Sequence, residues 1–185
     1  MIDIDEFVKK NYSKMKELGL AVESEESSVI ESLKRYPMEM LDDIGEEGIV
    51  AFLFIETKFS DVFYTDFEGI EYEEFLKNCQ RISGDELCFG EVTNDVADEI
   101  SESGEGSSEV SFKFKGTKYN YTAKVYYDWF DIGFIAFLNS VLEQIGMKKR
   151  IIAFGDPNGV LITYQEPDFC KRLKEAYPML EIYAK

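Results

Sequence analysis

Thirty-seven of the 185 side chains are carboxylates and none is an imidazole, and that imbalance narrows the chemistry open to this chain. Two clusters, Asp42, Asp43, Glu46 and Glu47, and Glu71, Glu73 and Glu74, have spacings at which carboxylates hold a divalent ion or act as an acid/base pair. At this density such spacings arise by chance, and runs of like charge usually mark a solvated helix face or turn. Both clusters therefore read as solvent-facing, with a carboxylate- and metal-dependent hydrolase kept as the alternative. Cys79, Cys88 and Cys170 are odd in number, lack a CxxC spacing, and have no histidine to complete a zinc site or activate a thiolate. They read as reduced, mostly buried thiols of a reducing compartment. The phosphate-binding, dinucleotide-binding, zinc-protease and nucleophile-elbow signatures are missing from the sequence, and Gly155-Asp-Pro-Asn-Gly159 is a turn. The residue types predict no catalytic group, no metal and no cofactor.

Recognition is the chemistry that these residues favour. Residues 1–109 carry 29 Asp and Glu against nine Lys and Arg, a net charge of −20, whereas residues 110–185 carry +3. Such acidity repels nucleic-acid phosphates and anionic membranes and attracts cationic surfaces, although it also serves simply to keep a protein soluble. Between residues 61 and 91 the carboxylates interleave with Phe59, Phe63, Phe67, Tyr72 and Phe89. Aromatic area beside carboxylates suits an interface with a basic protein, and the same aromatics suit a core equally well. The candidate partner-binding residues are Asp61, Tyr64, Asp66, Glu68, Glu71, Glu73, Glu74, Asp85, Glu86 and Glu91. A DNA-mimic or regulatory protein, with carboxylates spaced like phosphates along one face, is a further alternative. Lys113, Lys115, Lys118 and Lys124 form a basic strip too small beside a total of −17 to argue for nucleic acid. Trp129, the single tryptophan, reads as a core plug beside a helix cap.

The elements that must position these residues follow from periodicity. Ile4, Phe7, Val8, Tyr12, Met15 and Leu18 mark an amphipathic helix ending near Gly19. A second helix lies between Ser24 and Pro37, with Ser27 as its cap, and Met38–Ile44 adds a helical turn. The apolar run Gly48–Glu56 has strand length and is placed centrally in a sheet, although buried helix fits it too. Residues 59–67 are extended, 72–82 helical, and 87–92 a short strand. Residues 98–109, DEISESGEGSSE, read as a flexible acidic linker between residues 1–97 and 110–185, the whole forming one compact domain. Beyond it, Val110–Phe114 and Tyr119–Val125 form a hairpin turning at Gly116-Thr117. Asp128 caps a largely apolar helix from Trp129 to Ile145. A second hairpin, Ile151–Phe154 with Val160–Tyr164, precedes a last helix that opens at Pro167. The fold class expected is α+β, an antiparallel sheet packed against helices, with a C-terminal ββαββα unit.

That C-terminal unit resembles immunity proteins of bacterial polymorphic toxin systems. The resemblance is carried by FKFKGTKYNYTAKVYYDWFD, by the helix IGFIAFLNSVLEQIG, and by KKRIIAFGDPNGVLITYQEPDFCKRL, over residues 110–175. It implies a small acidic protein that binds and blocks a cognate toxin, often a nuclease, and it supplies no catalytic residues. The N-terminus lacks the basic and apolar regions of a signal peptide, and no apolar run approaches the ~18 residues that span a bilayer. The sequence thus predicts a cytoplasmic, non-catalytic binding protein whose partner is a basic protein rather than nucleic acid or membrane.

Overall fold

Helix α1 (Ile4–Glu17) begins where the Asp3 carboxylate accepts the Glu6 N–H at 3.1 Å, and it buries the apolar stripe read from its sequence. It ends in a Schellman turn, with the Leu20 N–H donating to the Met15 carbonyl across Gly19. The computed structural model describes residues 2–96, 104–156 and 159–184. After α1 come α2 (Glu26–Leu33), α3 (Met38–Glu56), β1 (Val62–Thr65), α4 (Tyr72–Ile82), β2 (Phe89–Val96), β3 (Glu105–Phe114) and β4 (Thr117–Tyr126). The remaining elements are α5 (Gly133–Gln144), β5 (Arg150–Asp156), β6 (Gly159–Gln165), α6 (Phe169–Ala176) and β7 (Glu181–Ala184). The fold is α+β with antiparallel sheets. None of the described helices is long and apolar enough to cross a membrane.

The strands form two sheets, not one: a four-stranded sheet in the order β1-β6-β5-β7 and a three-stranded sheet in the order β2-β3-β4. Alternation along the four-stranded sheet separates two cores. Val62, Ile152, Phe154 and Leu161 face α1, α2, α3 and α6. Phe63, Ile151, Ala153, Val160, Ile162 and Tyr164 face the other way, toward α4 and α5. The three-stranded sheet closes the far side of that second core with Val110, Phe112, Phe114 and Ala123. Asn139, buried in the middle of α5, both donates to the Ile151 carbonyl (2.7 Å) and accepts its N–H (2.8 Å), tying the helix to the edge of β5 without leaving a polar group unpaired.

Several expectations change at this level. The run Gly48–Glu56 is the second half of α3, not a strand; α3 breaks at Gly45 (φ 67°), and Ile49, Val50, Leu53 and Phe54 bury themselves between the other helices and the sheet. A helix enclosed on nearly all sides is apolar all round, so its sequence loses the period that would distinguish it from a buried strand. Glu25, not Ser27, is the N-cap residue of α2. Residues 105–109 of the expected linker are paired strand, with Glu109 opposite Asp95 on one side and Thr122 on the other; residues 98–103 lie outside the described residues. The first hairpin turns on Lys115-Gly116, both with positive φ, rather than on Gly116-Thr117. In the second hairpin Asp156 pairs with Gly159, and the two residues between them lie outside the described residues. The two hairpins of the C-terminal unit belong to different sheets, and β7 follows the last helix.

Candidate functional site

The three-stranded sheet is longer than the helix it covers. Its inward positions Val110, Phe112 and Ala123 are fully buried, but at the far end the corresponding positions Val96 and Val125 run past the start of α5. The space beneath them is a cleft of about 180 Å³, closed on its other side by residues 69–72 and 127–130. Those two segments are stitched together: the Gly69 N–H donates to the Asp128 carbonyl and the Phe130 N–H to the Phe67 carbonyl, each at 2.8 Å, which sets Glu68 opposite Trp129. Residues paired in this way carry Cβ atoms roughly 5 Å apart on one face.

Four of the large apolar side chains that remain exposed gather at this end: Val96, Tyr126, Tyr127 and Trp129, at 43%, 56%, 63% and 50% exposure. Trp129 is therefore not a core plug. The helix it was expected to open starts at Gly133 with Ile132 as its N-cap residue, and the side chain that bonds to its first N–H is Asp131, not Asp128. The Asp131 carboxylate accepts the Gly133 N–H (2.9 Å), the Lys124 N–H (2.9 Å) and the Tyr121 hydroxyl (2.8 Å), so it joins α5 to the edge of β4. The Asp131 N–H in turn donates to the Tyr72 hydroxyl at 3.4 Å. Burial, reinforced by Asp131 and Glu71, pushes the Tyr72 phenol up to about 12, so it is neutral at physiological pH.

The cleft is held by strained backbone. Phe67 (φ 65°) and Tyr127 (φ 52°) adopt the left-handed conformation, which costs a non-glycine residue roughly 1–2 kcal/mol. Phe67 is kept there by stacking on Phe130, with ring centroids 5.6 Å apart, and by donating its N–H to the Thr65 hydroxyl. Tyr127 donates its N–H to the Gly104 carbonyl, and its ring lies so close over Gly104 that a Cβ there would meet it at 2.7 Å. Strain of this kind persists only where surrounding contacts over-determine it, and it concentrates at working surfaces.

The electrostatics are one-sided. Residues 61–109 hold 15 carboxylates against Lys77 and Arg81, and every described carboxylate among them except Asp61 is exposed. Of the candidate binding residues, Asp66, Glu68 and Glu71 come together here: Glu71 and Asp128 line the cleft beside Lys124, Glu68 faces Trp129, and Asp66 accepts the Glu68 N–H at 3.1 Å. The others lie elsewhere. Glu73 and Glu74 are exposed on α4, with Glu73 paired to Lys77 at 2.7 Å. Asp85 accepts from Gln80, Glu86 stands by the buried Tyr164 phenol that burial and this carboxylate push upward, and Glu91 pairs with Lys113 at 2.6 Å. Tyr64 is exposed on the edge strand β1, where its ring covers Gly159.

Asp61 holds two layers together. Its half-buried carboxylate accepts the Ala21 N–H (2.9 Å) and the Gln165 amide (3.1 Å), joining the helical layer to β6. Sequence reasoning missed Tyr126, Tyr127, Asp128 and Trp129 as site residues, although three aromatics and an acid in four consecutive positions at a hairpin end were a visible signal.

Among the described residues no three Asp, Glu or Cys side chains converge as a metal-binding set. Cys79 and Cys170 are buried and Cys88 exposed, none of the three in a disulfide, and burial pushes the Cys79 thiol well above its ordinary range. The cleft brings together Tyr127 and Trp129, the acidic Glu71 and Asp128, and Lys124. No protein-family model, curated protein or solved structure matches this chain.

Proposed function

We propose that this chain is a non-catalytic binding protein that captures a basic protein, in the manner of an immunity protein occluding a cognate toxin such as a nuclease. The observation that carries the reading is the exposed Tyr126–Tyr127–Trp129 cluster set among Asp66, Glu68, Glu71 and Asp128. Tyr and Trp are the residues that most often dominate interface energetics. If binding covers roughly 100 Å² more of each ring, about 25 cal/mol per Å² gives a gross gain of about 7 kcal/mol before association costs. The surplus of carboxylates supplies long-range attraction for a cationic partner. The resemblance of residues 110–175 to immunity proteins supports the same reading.

Co-expression with the product of the neighbouring gene tests it. The expected result is a complex with a basic protein that survives purification, weakens as salt rises, and is lost when Trp129 and Tyr127 are both changed to Ala. Recovery of no basic partner, or of a complex indifferent to both salt and those substitutions, would sink the reading.

A further inference from the structure

We infer that the cleft under Val96 and Val125 is a seat for a single arginine side chain of the basic partner, an inference that rests on the function proposed above. Size is the first consideration. At about 180 Å³ the cleft is smaller than the roughly 300–1,000 Å³ of a small-molecule site, so it accommodates a side chain rather than a metabolite. Its walls are the second. Tyr127, Trp129, Glu71 and Asp128 line it, with Glu68 opposite Trp129. Aromatic faces with carboxylates at the edge match a guanidinium, which stacks on rings and pairs with carboxylates through two parallel N–H bonds.

A compact, strongly hydrated lysine ammonium uses only part of that arrangement, and an apolar side chain would leave the carboxylates desolvated without a partner. Lys124 also lines the cleft, one basic residue against the acidic Glu71 and Asp128. The site is built before the partner arrives. Tyr127 is fixed over Gly104, and Trp129 is held by its N–H bond to the Tyr126 carbonyl (3.1 Å) and by its pairing with Glu68. Little ordering cost is then left to binding.

Trp129 is the single tryptophan, so its emission reports on this cleft without labelling. The test titrates the intact protein with four blocked tripeptides, Gly-Xaa-Gly, in which Xaa is arginine, lysine, citrulline or norleucine. The arginine peptide should give a saturable change with a Kd on the order of millimolar, and the neutral isostere citrulline should bind about tenfold more weakly or not at all.

Glu68→Gln with Glu71→Gln should weaken the arginine peptide about fivefold or more. Glu46→Gln with Glu47→Gln, which removes the same charge from the exposed part of α3 on the opposite side of the four-stranded sheet, should leave it within about twofold, because exposed charges beyond a Debye length are screened. The inference is overturned if citrulline or norleucine binds as well as arginine, if both double variants lose affinity alike, or if no arginine-dependent change appears. The broader reading is tested separately by the co-expression experiment. A basic partner that still binds through Trp129 and Tyr127 after a negative peptide result would overturn the arginine seat alone.

Discussion

Replacing Asp131 with Ala should destabilise the protein by about 3 kcal/mol, while replacing Asp128 with Ala should cost less than about 0.5 kcal/mol. The asymmetry comes from the bonds each carboxylate makes. Asp131 accepts three, from the Gly133 N–H, the Lys124 N–H and the Tyr121 hydroxyl. The first is equivalent to an N-cap bond, about 1 kcal/mol. The second satisfies the edge of β4, and the third a phenol that burial and this carboxylate push well above its ordinary range. Each donor left without a partner costs about 1 kcal/mol at a half-exposed position.

The Asp128 side chain makes none of these bonds, and its carbonyl, which accepts the Gly69 N–H, is untouched by the substitution. Asp131→Asn keeps one acceptor oxygen but turns an amide N–H toward other donors, so about half the loss should remain. Urea unfolding followed by far-ultraviolet circular dichroism and by Trp129 emission gives the three free energies, and 3 kcal/mol corresponds to a midpoint lower by roughly 1–2 M. If Asp128→Ala proved as costly as Asp131→Ala, the cap would lie where the sequence alone placed it and the account of this corner would be wrong.

Gly104→Ala should cost about 1–2 kcal/mol and weaken partner binding, since a Cβ at φ +74° is strained and would push the Tyr127 ring from 2.7 Å; unchanged urea midpoint and affinity would refute the preorganisation of Tyr127. Asp61→Ala should cost about 2 kcal/mol because Ala21 and Gln165 lose their acceptor, whereas Asp61→Asn should be far milder. Burial raises the Asp61 pKa, so its protonated form is favoured in the folded state. The wild type should therefore lose ground against Asp61→Asn as pH rises from about 3.9 through that raised value, measured as paired urea midpoints between pH 4 and 7. Burial also raises the phenols of Tyr72, Tyr121, Tyr164 and Tyr177. Stability should thus fall once pH exceeds the unfolded value of about 10, with phenolate absorbance at 295 nm appearing together with loss of ellipticity.

Where a segment's neighbours are its own chain neighbours, its structure was legible. The stripe of α1, the helix at residues 72–82 and the two hairpins follow from periods of 3.6 and 2 read over short windows. Legibility failed where a distant segment decided the outcome. Residues 127–130 look like the first turn of a helix, but Tyr127 turns left-handed and the backbone of Asp128 and Phe130 bonds to Gly69 and Phe67, which delays α5 to Gly133. That diversion also swings Trp129 out of the core. Of the acidic residues picked as partner-binding, those of the 66–71 stretch meet the aromatic cluster, because only that stretch is stitched to it; composition gave Glu73, Glu86 and Glu91 the same standing.

The amino-acid sequence by itself determined that this chain is acidic, aromatic and folded, that its fold class is α+β, and that histidine chemistry is closed to it. The tertiary structure decided that the strands divide between two sheets, that the apolar run at residues 48–56 is helix, and that Glu71, Tyr127, Asp128 and Trp129 line one cleft with Glu68 opposite Trp129. The physical reason is range: periodicity and charge are properties of neighbouring residues, whereas burial and pairing depend on which remote segment arrives to complete the surface.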